Sequence, residues 1–77
     1  MKISVIITLK QDVLDPQGKV INQTLTGMGF ENIDEVRQGK YFEINLNEQD
    51  ENRAKAQVEE MCKKLLANLV IENYKIL

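Results

Sequence analysis

The pair Asp15-Pro16 sets the main constraint on how this chain can fold. Pro16 is the only proline; its ring holds φ near the helical value, and its missing N–H costs nothing at the first helical position. The Asp15 carboxylate is placed to accept from the free N–H groups of Gln17 or Gly18, and its charge suits the positive end of the helix dipole. A helix therefore starts here, and what precedes it is a different element. Upstream, Ile3, Val5, Ile7 and Leu9 alternate with Lys2, Ser4, Thr8 and Lys10, the pattern of a strand with one buried face. Ile6 stands on the polar side, either as a tolerated surface residue or where this face meets another subunit.

Downstream, Val20, Ile21, Thr24, Leu25 and Met28 recur at helical spacing, which predicts a helix from about Pro16 to Met28. Gly29 ends it, with Phe30 folding back onto the last turn. Ile33 to Arg37 reads as a second strand, Gln38-Gly39 as a tight turn, and Lys40 to Leu46 as a third strand with Phe42, Ile44 and Leu46 on one face. Arg37 and Lys40 then flank the turn, either as an anion-holding tip or as a solvated one. A second helix begins at about Asp50. Its apolar stripe is Ala54, Val58, Met61, Cys62, Leu65, Leu66 and Leu69, with Lys55, Glu59, Glu60, Lys63 and Lys64 opposite. Asn68 is expected to close it as a left-handed cap, and Val70 to Leu77 reads as a final edge strand carrying Val70, Tyr74 and Ile76 on one face.

The order βαββαβ predicts an α+β, two-layer ferredoxin-like sandwich over residues 1–77 as a single domain. Right-handed crossovers place both helices on one face of an antiparallel sheet and leave the other face open. A domain of 77 residues buries only about 60% of its unfolded surface, so it needs help to be stable. Cys62 is the only cysteine, which excludes an internal disulfide, and with no histidine a zinc site is not expected. Oligomerisation through the sheet is the remaining route, and a homo-oligomer, dimer or higher, is expected. The net charge of −2 and scattered basic residues argue against nucleic acid as a partner. No run of 18 apolar residues offers a membrane span, so the expected location is the cytoplasm.

Catalytic patterns are missing from the sequence. Gly18-Lys19 and Gly39-Lys40 lack both the upstream glycine and the following hydroxyl of a phosphate-binding loop, and the four glycines cannot give a dinucleotide fingerprint. The loop after the first strand carries Asp12 and Asp15, which repel a phosphoryl group. Glu59 and Glu60 point about 100° apart on a helix and do not converge on one substrate. Cys62 lies on the apolar stripe without a histidine to activate it and is read as buried and inert. Catalytic, cofactor and metal residues are all expected to be none.

Three separated motifs carry a resemblance to a known family. They are Leu9-Lys10 with Val13-Leu14-Asp15-Pro16-Gln17-Gly18, then Val36-Arg37 with Gly39-Lys40, and Leu65-Leu66-Ala67-Asn68 with Val70-Ile71-Glu72 and Tyr74. In this order, over nearly the whole chain, they resemble the PurS family, the small subunit of the multi-subunit phosphoribosylformylglycinamidine (FGAM) synthase. Leu69 departs from the proline that often follows the asparagine there. The resemblance implies a subunit of purine biosynthesis without an active site of its own. It implies as partners a glutaminase subunit, which releases ammonia, and a large synthetase subunit, to which ATP and Mg are assigned. The small subunit then brings the two together and assists ammonia transfer. On that reading the contact candidates are Asp15, Pro16 and Gly18 at the corner, Arg37, Gly39 and Lys40 at the turn, and Asn68, Ile71 and Glu72 before the last strand. The competing class is a homo-oligomeric ferredoxin-like module that binds a small regulatory ligand between subunits.

Overall fold

Three strands and two helices follow one another in the computed structural model, which describes all 77 residues. They are β1 (Lys2–Leu9), α1 (Pro16–Gly27), β2 (Gly39–Asn45), α2 (Glu51–Met61) and β3 (Glu72–Ile76), with a π turn, Cys62–Leu66, extending α2. The sheet is antiparallel, in the order β2-β1-β3. Alternation in β1 sets the register: Ile3 pairs with Ile44, Val5 with Phe42 and Ile76, and Ile7 with Lys40 and Tyr74. A slip of one residue would turn this whole apolar set to solvent.

α2 lies over β1 and β3 on that face. Ile3, Val5 and Ile7 meet Ala54, Val58, Cys62 and Ala67 there, and Phe42, Ile44, Tyr74 and Ile76 pack around them. Both helices start as their sequences predict. Asp15, in extended backbone, accepts from the Gly18 N–H, and Asp50 accepts from the Asn52 and Arg53 N–H groups. α1 also ends as expected, at Gly29 with φ of 106°, where the Phe30 N–H donates back to the Leu25 carbonyl at 3.1 Å.

The class is the predicted α+β, ferredoxin-like one, but particular elements differ. Ile33–Arg37 is not a strand of this sheet, and no residue from 31 to 37 makes a backbone–backbone hydrogen bond. Nor is there a hairpin turn at Gln38-Gly39. Asp15 binds the Gln38 N–H at 2.6 Å, Gly39 already pairs with Thr8, and its φ is not positive. α1 adds nothing to the core, so the expected pair of helices on one face is a single helix, α2. Instead, the returning residues 31–37 pass along α1, where the Val36 carbonyl lies against Gly18 and where Lys19 and Asn22 line surface clefts shared with residues of that segment. This arm makes the molecule 48 Å long and 14 Å thin.

Asn68 is not a left-handed cap, because the π turn stops the helix first. The Ala67 N–H closes on the Cys62 carbonyl at 3.0 Å, and Ala67 leaves in extended backbone. The wide turn keeps Cys62 and Ala67 inside and swings Leu65 out to 84% exposure, off the stripe assigned to it. Val70 likewise lies in the turn before β3, not on it, and is exposed.

Candidate functional site: a joint at one end of the sheet

The residues singled out in three separate stretches converge at one end of the sheet. Asp15 is buried, with Oδ1 accepting from Gly18 at 2.9 Å and Oδ2 from Gln38 at 2.6 Å. One carboxylate thus starts α1 and ties the chain entering β2 to it. The Gln38 and Gly18 N–H groups hold the Asp15 carboxyl below its ordinary value, outweighing the opposing effect of burial, and the Arg37 charge adds to them. Gly18 is required by close approach, since a methyl there would overlap the Val36 carbonyl oxygen.

Arg37 closes the corner from the other side. Its Nη2 donates to the Lys10 carbonyl at 2.8 Å and the Val13 carbonyl at 2.9 Å, satisfying two acceptors of the β1–α1 loop. The sequence places Arg37 at the tip of a turn, because a guanidinium clamped on carbonyls leaves no local pattern. Lys40 reaches Glu72 at 3.8 Å across β1, while Glu72 Oε1 accepts from the Asn68 N–H at 2.7 Å. The Asn68 side chain accepts from Val70 at 3.2 Å, and the Lys10 N–H donates to the Ile71 carbonyl at 2.8 Å. Corner, β2 entry and pre-β3 turn are therefore one hydrogen-bonded joint.

A cavity of about 440 Å³ opens beside it, floored by Ile7 and Leu9 and walled by Pro16, Gln17, Lys40 and Glu72. Its charged groups are already engaged with one another or with backbone. Elsewhere, burial and nearby Glu59 push the Cys62 thiol up, away from a nucleophilic thiolate. Burial and the Glu59 carboxylate that its hydroxyl donates to also push Tyr74 up. The arrangement is built to hold backbone segments in place.

What the sequence pattern did not separate is inside from outside among apolar residues. Val20, Met28, Phe30, Leu65 and Val70 are all more than half exposed. The open face of the sheet is polar by contrast, with Lys2 paired to Glu43 at 3.3 Å and the Tyr41 hydroxyl donating to Ser4 at 3.0 Å. No helix is long and apolar enough to cross a membrane.

These features define a small ferredoxin-like α+β chain with a braced joint and an exposed apolar surface. Comparison with known proteins gives the family. The family model for PurS, phosphoribosylformylglycinamidine (FGAM) synthase, matches residues 2–77, and the chain belongs to that family of FGAM synthase subunits. It is 48% identical over 75 residues to the PurS subunit of Methanocaldococcus jannaschii, covering 97% of this chain and 90% of that one. Against the Bacillus subtilis subunit it is 43% identical over 74 residues, covering 96% and 87%. The crystal structure of the M. jannaschii protein, one of the subunits of formylglycinamide ribonucleotide amidotransferase in the purine biosynthetic pathway, superimposes with a TM-score of 0.88 over 99% of this chain and 92% of that one, at 49% identity. A chain in the structure of PurLQS from Thermotoga maritima gives 0.90 at 25% identity, over 99% and 93%.

Proposed function

We propose that this chain is the non-catalytic organising subunit of FGAM synthase, acting as a homo-oligomer in the cytoplasm. It holds the glutaminase subunit and the large ATP- and Mg-dependent synthetase subunit in one relative orientation, so that ammonia released at one site reaches the other sheltered from water. Ammonia that meets bulk water is protonated and lost as a nucleophile, so fixed placement of two active sites is itself a contribution to rate. The observation that carries this reading is the joint: Asp15, Arg37 and the Lys40–Glu72 pair bind the chain's own backbone and each other, leaving rigid surface where a catalyst would need free groups. Asp15, Pro16, Gly18, Arg37, Gly39, Lys40, Asn68, Ile71 and Glu72 shape that surface for the partner subunits.

The test measures amidination of formylglycinamide ribonucleotide by purified glutaminase and synthetase subunits, with glutamine or with free ammonia, in the presence and absence of this chain. The expected result is that the chain restores the glutamine-driven reaction and leaves the ammonia-driven one nearly unchanged. If neither reaction responds, the organising role is wrong.

A further inference from the structure

A leucine stands out in water on a loop that is held from both sides. Leu14 is 68% exposed, in the passage from β1 to α1. Before it, the Lys10 and Val13 carbonyls both accept from Arg37 Nη2, at 2.8 and 2.9 Å, and the Val13 N–H closes on the Lys10 carbonyl at 3.0 Å. After it, Asp15 is buried with both carboxylate oxygens bonded to N–H groups. A single exposed leucine is ordinary. One whose backbone is clamped on both sides by distant segments is pre-organised, so little conformational freedom is lost when another surface covers it.

The surroundings of Leu14 define what can cover it. It shares a shallow cleft of about 190 Å³ with Asp34 and Glu35, and Asp12 is exposed two residues before it. Neither Asp12 nor Asp34 makes an ion pair. Arg37, which also lines the cleft, is spent on carbonyls, and this leaves Lys19 as its one free cation. The rim is therefore acidic on balance. A second copy of this chain does not match it. In a two-fold contact the patch would meet itself and set these carboxylates against each other. The apolar groove of about 710 Å³ beside Ile44 offers no basic rim either, since its Glu60 and Lys64 pair with each other at 3.7 Å.

We propose that Leu14 is the anchor by which this chain docks on a different subunit of FGAM synthase, filling an apolar pocket whose rim carries lysine or arginine, and that Arg37 is a positioning residue holding the anchor in place. This docking presupposes the organising role proposed above. It adds the side chain that makes the contact and the chemistry of the surface that receives it.

The test titrates the full chain into purified glutaminase and synthetase subunits and reads the chain concentration that half-saturates the glutamine-driven reaction. Leu14→Ala should raise that concentration on the order of tenfold or more, the effect that marks an interface anchor. Leu14→Met, which keeps the apolar volume, should restore nearly the parent value. The urea midpoint and the light-scattering mass of the isolated chain should not move with Leu14→Ala, because the side chain is exposed and serves another chain. Arg37→Lys removes the planar group that reaches both carbonyls and should also raise the half-saturating concentration. In a chain already carrying Leu14→Ala it should add little, since the two residues act on one contact. Asp34→Lys should weaken docking at low salt and lose that effect at high salt.

An unchanged half-saturating concentration in Leu14→Ala overturns the anchor. A changed mass of the isolated chain overturns it too, by assigning Leu14 to a contact between copies. Full additivity of Leu14→Ala and Arg37→Lys overturns the positioning role. A parent chain that leaves the glutamine-driven reaction unstimulated overturns the organising role, and the anchor with it.

Discussion

Asp15 is 6% exposed, and its two carboxylate oxygens accept from segments far apart in the chain, Gly18 in α1 and Gln38 at the entry to β2. Substitution by asparagine keeps the shape but turns an acceptor oxygen into an N–H₂ that faces another N–H. Because the folded carboxyl titrates below its ordinary value of 3.8, its stabilising effect is complete above that value and is lost as pH falls through the lower folded one. Asp15→Asn should therefore lower the urea midpoint at pH 7, with the gap to the parent chain closing in acid as the pH falls below 3.8 and through the lower folded value. A gap of the same size at pH 7 and in acid would show that geometry, not charge, matters at this position. The capping role was legible in the sequence because a cap is local: Asp15, Pro16 and Gly18 lie within one turn. The bond to Gln38 and the grip of Arg37 on Lys10 and Val13 were not, since nothing in the spacing of residues 10, 13, 15, 37 and 38 reports that they meet.

Within α1 two glycines face opposite surroundings, and magnitudes decide the sign of each substitution. Alanine is favoured over glycine in a helix by up to about 1 kcal/mol. At Gly27 nothing lies within 4 Å of the added methyl, so Gly27→Ala should stabilise the chain by about 0.5–1 kcal/mol. At Gly18 the methyl would strike the Val36 carbonyl, a backbone atom that cannot swing aside. Overpacking of this kind costs about 1–3 kcal/mol, which outweighs the propensity gain, so Gly18→Ala should destabilise. Denaturant titration of both variants checks the pair, and equal effects would refute the close approach of residue 36 to α1. At the same scale, alternation found β1 and most of β2, and three-and-four spacing found both helices, because both patterns report burial. They do not report whose atoms do the burying. The apolar stripe on α1 is not covered by this chain's sheet, and residues 33–37, which the sequence reads as a strand, pair with no strand of it. Leu65 failed for a different reason, since the widened π turn breaks the 3.6-residue period on which its assignment depended.

A fold with seven buried apolar residues at its core, none of them from residues 16–37, draws little stability from itself. If the chain is the proposed homo-oligomer, the missing burial comes from association, which ties the folding equilibrium to protein concentration. Unfolding then separates two chains, and each tenfold rise in concentration adds about 1.4 kcal/mol per dimer to the stability of the assembly. Two chains of 77 residues unfold with an enthalpy of roughly 110 kcal/mol at ~0.7 kcal/mol per residue. The thermal midpoint should therefore rise by about 4–5 °C for each tenfold increase, a shift that scanning calorimetry from roughly 1 to 100 µM resolves well. Surface ion pairs such as Lys55–Glu51 and Lys64–Glu60 cannot imitate this behaviour, because they lie within one chain and contribute little when exposed. A midpoint that stays constant over that range would mean that the chain is stable alone, and would refute the homo-oligomer.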